Sequence, residues 1–423
     1  MGDEQLSYGD FMDNFIGEDV VADSSIDANS NVRRKDIVTL LSEMPKPHRK
    51  VMSFQKIYYE MQKAYGFKAA NEWLRREWTG EIYMHDGDTA TFKSYCFAYD
   101  LQDLAEKGLF FLGDTFNAKP PRHLTTFVDF VKEYINFASN RTSGAVGLPN
   151  LIPYMYYFWK NDWNAAYLGM TQFEDYARQN IQRFIYAVNQ PCVRDGQQSA
   201  FTNTSVFDRE YLMALFGGAE FPNGEMMYDH MEGIMDFQKM YMEEMANIRS
   251  ENMFTFPVSS ISLIRKNGKF VDEEFAEWAI RHNMKWSDSN FFIDDNVSSL
   301  SNCCRLKSDI RDLGYFNSIG GTALKVGSVK VNTINLARLA LDTNTKEEYI
   351  EELKARTLCV VRSLHVVRHI IKRNVEKGLL PNFSYGLIDF EHLYNTIGFI
   401  GIYETMKKFG CTYQDKLGNT YYT

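Results

Sequence analysis

The stretch "SSLSNCCRL", residues 298–306, places two cysteines side by side with an arginine directly after them. Adjacent cysteines rarely bond to each other, because disulfide geometry fits poorly across a single peptide unit. Two explanations for Cys303 and Cys304 are therefore open. They are small buried core residues, as unpaired cysteines often are, or their sulfur atoms carry chemistry. The stretch alone favours neither, so the rest of the chain has to decide.

Length and composition indicate a globular protein. The chain has 423 residues, of which 45% are hydrophobic and 15% aromatic, enough for one large domain or two ordinary ones. No apolar run approaches the ~20 residues of a membrane span, and the acidic N-terminus does not resemble a signal peptide. The six cysteines are scattered and include no CxxC pair. We therefore expect reduced thiols, a cytoplasmic protein and no metal site in this chain.

The formal charge of −9 is concentrated at the N-terminus. Residues 1–32 contain eight acidic residues and no Lys or Arg, so the remainder is nearly neutral. This pattern predicts an acidic, disordered tail over 1–32 and a folded domain over 33–423. No basic stripe is present, and we expect neither a DNA or RNA polymer nor a membrane as partner.

Hydrophobic periodicity predicts alternating helices and strands. The predicted helices cover 36–78, 126–139, 172–189 and 272–284, and residues 346–377 are predicted as one long helix or two joined ones. The predicted strands cover 81–88, 199–207, 253–264, 290–295 and 327–336, and "IGFIGIYE" (397–404) is a late strand. Helices interleaved with isolated strands favour a single large α/β domain.

Two stretches are rich in small residues that suit a ligand site. In "RDGQQSAFTNTS" (194–205) polar side chains surround a turn into a strand, and "GGTALKVGSVKVNTINL" (320–336) has glycines that permit close backbone approach. Neither stretch has the spacing of a phosphate-binding fingerprint. Taken alone, the first is better explained as a polar turn with a half-exposed strand.

Six motifs in one order resemble a known family. They are "HDGD" with "YCFAYDL", "QRFIYAVNQPCVRDGQQSAFTN", "FPVSSISLIRKNGKF", "NFF" with "SLSNCCRL", "GSVKVNTINLARLAL" and "IGFIGIYE". The chain resembles the anaerobic (class III) ribonucleotide reductases over roughly residues 25–405. The resemblance implies a ten-stranded α/β barrel of the ribonucleotide reductase and glycyl radical enzyme type, complete or incomplete in this chain. It also implies that residues 298–306 form a finger loop through the barrel.

The resemblance implies roles for three cysteines. Cys304, directly before Arg305, matches the residue that becomes a thiyl radical at the tip of the finger loop. Cys96 in "SYCFAYDL" matches the cysteine on the first barrel strand that assists reduction. For Cys303 a structural role and a reducing role both remain open.

The resemblance also implies residues that bind substrate. Gln197, Ser199 and Thr202 match the family's "GQ-PFTN" turn and are expected to line the substrate pocket. Asn335 in "TINL" either faces this pocket or is a strand asparagine satisfied by other contacts.

The implied activity is radical-based reduction of ribonucleotides to deoxyribonucleotides. A thiyl radical on Cys304 would abstract the 3′-hydrogen of the ribose, and a second sulfur or formate would supply a reducing hydrogen. Nucleoside triphosphates are expected as substrate and effector, and the protein as a homodimer with the effector at its interface.

The chain departs from the family pattern in ways that leave the radical source open. It contains no "RxCGY" glycyl-radical motif, no four-cysteine zinc site and no recognisable phosphate turn, and Gly410–Cys411 is not an equivalent. In one hypothesis a second polypeptide supplies the glycyl radical, after activation by a radical-SAM enzyme. In another the chain is a compact reductase that depends on adenosylcobalamin, with Cys411 or a small thiol as reductant. In a third it is a fragment or a non-catalytic relative that only binds nucleotides or partners. A formate-lyase type enzyme is disfavoured by Cys96 and by "TINLARLAL".

Overall fold

The computed structural model describes most of the chain. The described residues are 41–42, 44–113, 116–165, 170–194, 198–297, 299–301, 307–309 and 324–422. Cys303, Cys304, Gln197 and the predicted tail over 1–32 lie outside these residues, so the expectations about them stay predictions. The structure also leaves the prediction of one domain over 33–423 untested.

Helices and strands alternate along the chain, which confirms the mixed α/β class. The helices are α1 (Lys46–Trp78), α2 (Gln102–Lys107), α3 (Leu124–Ser139), α4 (Leu151–Ala165), α5 (Met170–Val188), α6 (Arg209–Phe216), α7 (Met231–Glu251), α8 (Glu273–Trp286), α9 (Leu336–Asp342), α10 (Lys346–Glu376), α11 (Pro381–Ser384) and α12 (Ile402–Lys408). The strands are β1 (Ile82–Met84), β2 (Phe97–Ala98), β3 (Val146–Leu148), β4 (Thr202–Phe207), β5 (Val258–Lys266), β6 (Lys269–Phe270), β7 (Ser289–Asp294), β8 (Ser299–Ser301), β9 (Lys307–Asp309), β10 (Val326–Asn335), β11 (Leu393–Ile400), β12 (Thr412–Gln414) and β13 (Thr420–Tyr422). None of the helices in the described ranges is long and apolar enough to cross a membrane.

The chain divides into two compact units. Unit 1 contains the described residues of Met1–Pro45, Cys96–Gly327 and Tyr385–His392, and unit 2 contains Lys46–Tyr95, Ser328–Ser384 and Leu393–Thr423. Strand β10 begins in unit 1 and continues in unit 2.

Unit 1 is built on a parallel sheet. Its strands β2, β3, β4, β5 and β7 are neighbours in that order and all pair in parallel. The start of β10 pairs antiparallel with β2, and β6 folds back on the end of β5. Helices α3, α4, α5 and α7 pack against one another. Because helix-covered strands of parallel sheets are buried on both faces, all six residues of β4 are buried.

Unit 2 is built on a pair of long helices. Tyr65 Oη of α1 lies 2.6 Å from His365 Nδ1 of α10, and Arg76 Nη1 lies 2.6 Å from Glu352 Oε1. From the first pair to the second, the residue number rises along α1 and falls along α10, so the two helices are antiparallel. The remainder of β10 pairs with β1 and with β11 in the same unit.

The end of the chain differs from the sequence prediction. The predicted strand over 397–404 is shifted, since β11 ends at Ile400 and α12 begins at Ile402. Gly401 makes this transition with a φ of 84°, and a Cβ there would lie 2.5 Å from the backbone nitrogen of Ala337. A positive φ and a close backbone approach both require glycine, and together they end the strand.

Candidate active site

Cys96 is a fully buried thiol beside the parallel sheet of unit 1. It forms no disulfide with another cysteine of the described ranges, and its side chain is 0% exposed. The N–H of Phe97 donates to Ala145 O at 3.0 Å, and that of Tyr99 donates to Gly147 O at 2.8 Å. This segment is therefore extended along β3. The N–H of Ala145 donates in turn to Cys96 Sγ at 3.1 Å.

The direction of the Cys96 side chain follows from that of Tyr99. The ring of Tyr99 packs on Tyr134 of α3, with the ring centroids 5.4 Å apart. Side chains alternate between the two faces of an extended chain. Cys96 and Ala98 therefore point away from the helices that Tyr99 contacts.

The sheet register identifies the residues that share this direction. Ala98 pairs with Gly147, Gly147 with Asn203, and Asn203 with Val258. Paired residues of neighbouring strands point to the same face of a sheet. We call this surface the Cys96 face. Its residues with thiol, hydroxyl or amide side chains include Cys96, Asn203, Ser205, Ser260, Ser262 and Asn290.

Asn203 and Ser260 of this face were not selected by sequence reasoning. Asn203 Nδ2 donates to Val258 O at 2.9 Å and to Ser260 Oγ at 3.0 Å, and both side chains are buried. Polar residues occupy the first four positions of β4, so the pattern could not tell which of them face inward. The pairing of β4 with β3 and β5 supplies that information.

Thr202, which the sequence assigns to the substrate pocket, lies on the helix-covered face of the sheet. It alternates with Asn203 and shares its face with Thr204, which pairs with Ser259. The hydroxyl of Ser259 donates to Met245 Sδ of α7 at 3.7 Å. Thr202 is fully buried, and its hydroxyl has no hydrogen-bond partner within the described ranges. Its role in substrate binding stays a prediction.

Ser199 and Asn335 both have structural partners. Ser199 Oγ is buried and donates to Asn189 O at 2.9 Å, which braces the approach to β4. Asn335 Oδ1 accepts from Arg338 N–H at 2.9 Å and caps α9, and its Nδ2 donates to Gly80 O at 3.2 Å. Asn335 belongs to unit 2, whereas Cys96, Ser199 and Thr202 belong to unit 1. Substrate contacts by Ser199 and Asn335 stay predictions.

Gly327 lets β10 approach the backbone of Cys96. A Cβ on Gly327 would lie 2.1 Å from Cys96 O and 2.6 Å from Phe97 Cδ1. The first of these atoms is backbone and cannot rotate away. Gly327→Ala is therefore expected to push β10 from β2 and to lower the free energy of unfolding by about 1–3 kcal/mol, the usual cost of overpacking. Urea denaturation measures the change.

The control for this substitution is Gly218→Ala. A Cβ on Gly218 meets no atom within 4 Å, so this variant should unfold like the wild type. Equal stability of Gly327→Ala and the wild type would contradict the close approach of β10 to Cys96.

A buried ionic cluster anchors the start of β7, the strand that leads toward residues 298–306. Asp288 Oδ2 lies 3.1 Å from Arg249 Nη1 and 3.1 Å from His282 Nε2, and Ser289 Oγ donates to Oδ1 at 2.8 Å. Burial opposes ionisation of Asp288. The hydrogen bonds from His282 and Ser289, together with the Arg249 charge, outweigh it and hold the pKa of the carboxyl below its usual value.

Removing the Asp288 charge should produce a pH-dependent loss of stability. A depressed folded-state pKa contributes stability above the unfolded-state value of about 4, and this is lost as the pH falls through the folded pKa. Asp288→Asn should lower the free energy of unfolding by about 2 kcal/mol at neutral pH, and the deficit should shrink below about pH 4. Urea denaturation at several pH values tests this. Asp129→Asn, which removes an exposed partner of Arg183, serves as control. If the loss of stability in Asp288→Asn were the same at every pH, the stabilising role of the ionised Asp288 carboxylate would be contradicted.

Comparison with known proteins identifies the family. The sequence profile of the anaerobic ribonucleoside-triphosphate reductase family matches residues 45–421. A search of curated proteins found no match.

Among described residues, no group of three His, Cys, Asp or Glu side chains is arranged to hold a metal ion.

Solved structures of anaerobic ribonucleotide reductase from Thermotoga maritima resemble this chain closely. The complex with dATP and CTP has 36% sequence identity and a TM-score of 0.84, covering 99% of this chain and 66% of that one. The form with citrate in the active site has 37% identity and a TM-score of 0.83, covering 98% and 71%. The form with dATP in the specificity site has 37% identity and a TM-score of 0.81, covering 95% and 65%.

These matches confirm the fold class predicted from the sequence, although the strands in the described ranges do not form a closed ten-stranded barrel. The chain spans about two thirds of the length of these relatives. Because the family profile covers most of its residues, the chain belongs to the anaerobic ribonucleoside-triphosphate reductase family.

Proposed function

We propose that this chain is the catalytic portion of a ribonucleoside-triphosphate reductase, which converts a ribonucleotide to a deoxyribonucleotide by radical chemistry. The observation that carries the proposal is the placement of Cys96. The chain belongs to this family, and Cys96 is a buried thiol in it. Its backbone segment is extended along β3, and its side chain lies on the polar face of the parallel sheet. A fully buried thiol held there is suited to reduce a substrate shielded from water.

Cys304 is proposed to start the reaction. Its thiol gives up a hydrogen atom, and the resulting sulfur radical takes the 3′-hydrogen of the ribose. The 2′-hydroxyl then leaves as water after gaining a proton. When reduction at C2′ is complete, the Cys304 thiol returns its hydrogen to C3′ and the sulfur radical is regenerated.

Cys96 is proposed to deliver hydrogen to the 2′ side of the ribose. The two electrons of the reduction come from formate, which becomes carbon dioxide, or from a pair of thiols, which become a disulfide. Cys303 is either a neighbour with a structural role or a further thiol in this step. Gln197, Ser199, Thr202 and Asn335 remain the residues that we propose for substrate binding.

The radical on Cys304 is proposed to come from a second polypeptide that carries a glycyl radical and is activated by a radical-SAM enzyme. Adenosylcobalamin is the alternative source, and Cys411 or a small thiol is then the reductant. A related structure holds dATP in its specificity site, and we propose a deoxynucleotide effector and a homodimer here too. We also propose that this protein is located in the cytoplasm.

An anaerobic assay tests the activity and the radical source together. The chain is incubated with radiolabelled CTP, dATP, formate and a dithiol, and deoxycytidine triphosphate is quantified. One arm contains the chain alone, one adds adenosylcobalamin, and one adds the glycyl-radical polypeptide with its activase. We expect product in the third arm.

The other outcomes discriminate between the alternatives. Product in the second arm would reject the need for a second polypeptide. No product in any arm, with CTP binding retained, would contradict the proposed activity and leave the chain as a nucleotide-binding relative.

A further inference from the structure

A single peptide group connects Cys96 to a cation. The N–H of Ala145 donates to Cys96 Sγ at 3.1 Å. The carbonyl of the same amide belongs to Gly144, and it accepts a hydrogen bond from Arg194 Nη2. The guanidinium, the amide and the sulfur therefore form one continuous hydrogen-bonded chain.

Arg194 is fixed in this position by several contacts. Its Nε donates to Ser139 O at 3.4 Å, and its Nη1 donates to Gln198 Oε1 at 3.2 Å. Its backbone N–H donates to Asn140 Oδ1 at 2.8 Å. The guanidinium thus braces the loop between α3 and β3 at the point where that loop meets Cys96.

A positive charge at the carbonyl end strengthens the donor at the nitrogen end of an amide. Hydrogen bonds to ionised groups are stronger than neutral ones, and chains of hydrogen bonds polarise one another in a low-dielectric interior. The Ala145 N–H therefore interacts most favourably with the sulfur when the sulfur is rich in electrons.

We propose that Arg194 is a positioning residue that acts through the Gly144–Ala145 peptide to hold and polarise the N–H donor to Cys96, and so stabilises the electron-rich form of that sulfur. This inference rests on the proposed function only in giving Cys96 its task. When Cys96 gives up a proton during reduction, its sulfur becomes a thiolate and carries the negative charge that this N–H donor stabilises.

Within the described ranges, Tyr99 and, beyond it, Arg141 are ionisable side chains in the surroundings of Cys96. Tyr99 interacts electrostatically with Cys96, and burial raises the pKa of its phenol well above the usual value, so it stays neutral. Arg141 acts on Tyr99, but its Nη1 donates to Phe137 O at 2.9 Å and its guanidinium stacks on the Phe137 ring. This hydrogen bond and this stacking contact of Arg141 do not involve the Gly144–Ala145 peptide.

The experiment measures ionisation of the Cys96 thiol in the full chain under anaerobic conditions. The ultraviolet absorbance of thiolate is followed against pH, and the signal of the same protein carrying Cys96→Ser is subtracted. In Arg194→Met the thiolate fraction of Cys96 at a fixed pH should fall by roughly three- to tenfold. Arg194→Lys keeps the charge but loses the planar fork, and a smaller fall is expected.

A double-mutant cycle tests the route through the peptide. Ala145→Pro removes the N–H, and Arg194→Met should have no further effect on Cys96 in that background. Arg183→Met, which alters an exposed arginine of α5 paired with Asp129, should leave the thiolate fraction unchanged. Circular dichroism establishes that each variant is folded.

The inference is overturned if Arg194→Met and Arg194→Lys both titrate like the wild type. It is also overturned if Arg194→Met has the same effect with and without Ala145→Pro. The titration requires no turnover, so its failure is distinct from failure of the reductase assay, which tests the proposed function alone.

Discussion

Cys304→Ser is expected to abolish deoxyribonucleotide formation, with turnover falling by roughly 10³-fold or more, as when a reacting residue is removed from other enzymes. An oxygen–hydrogen bond is stronger than a sulfur–hydrogen bond, so serine cannot form the radical that takes the 3′-hydrogen. Nucleotide binding and the free energy of unfolding should stay close to those of the wild type. The measurement is deoxycytidine triphosphate formed anaerobically in the complete assay.

The matched control is Cys303→Ser, which makes the same chemical change one residue away in "SNCCRL". If Cys303 has a structural role, this variant should retain activity. Turnover by Cys304→Ser at the wild-type rate would refute the assignment of the radical cysteine. Loss of activity in both variants would indicate that Cys303 is a reducing thiol.

Cys96→Ser should block reduction while leaving hydrogen abstraction intact. Cys96 is fully buried and hydrogen-bonded to Ala145 N–H, and serine is nearly the same size, so the sheet should be retained. Deoxyribonucleotide formation should fall by about 10²- to 10³-fold, the loss typical of a missing proton or hydrogen donor. Tritium placed at the 3′-carbon of the substrate should still be released to water, because Cys304 continues to act.

Cys359→Ser provides the control, since Cys359 is a buried cysteine in unit 2 on α10. It should keep full turnover. If Cys96→Ser stops both product formation and tritium release although the protein is folded, Cys96 is required for abstraction or for substrate binding, and the proposed division of roles is wrong.

Strong periodicity made parts of the fold predictable. Helix α10, Lys346–Glu376, was predicted over 346–377. It begins with a capping box, in which the side chains of Thr345 and Glu348 each accept a hydrogen bond from the backbone N–H of the other residue. Strand β10 is displaced by only one residue from the predicted 327–336. Helix α7 was not predicted, although its buried residues Met231, Ile234, Met235 and Met242 have helical spacing.

The candidate site was less predictable, because side-chain direction on β4 depends on register. Sequence reasoning selected Thr202, but pairing with β3 and β5 places its neighbour Asn203 on the Cys96 face. Polar residues occupy both odd and even positions of β4, so hydrophobic alternation does not indicate which of its side chains lie on the Cys96 face. Likewise, the hydrogen bond from Arg194 to Gly144 O joins residues 50 positions apart. Such a contact follows only from the folded chain.

The most direct test of the central claim is whether the sulfurs of Cys96 and Cys304 meet. A shared site on one ribose requires them to approach within roughly 3–6 Å, a range that permits a disulfide. The native chain is oxidised mildly, digested without reduction, and mapped by mass spectrometry. We predict a disulfide that links the peptides containing Cys96 and Cys304 and that is absent from Cys304→Ser. If Cys96 instead stays fully reduced under conditions in which Cys304 is oxidised, the two residues do not share an active site, and the proposed mechanism is contradicted.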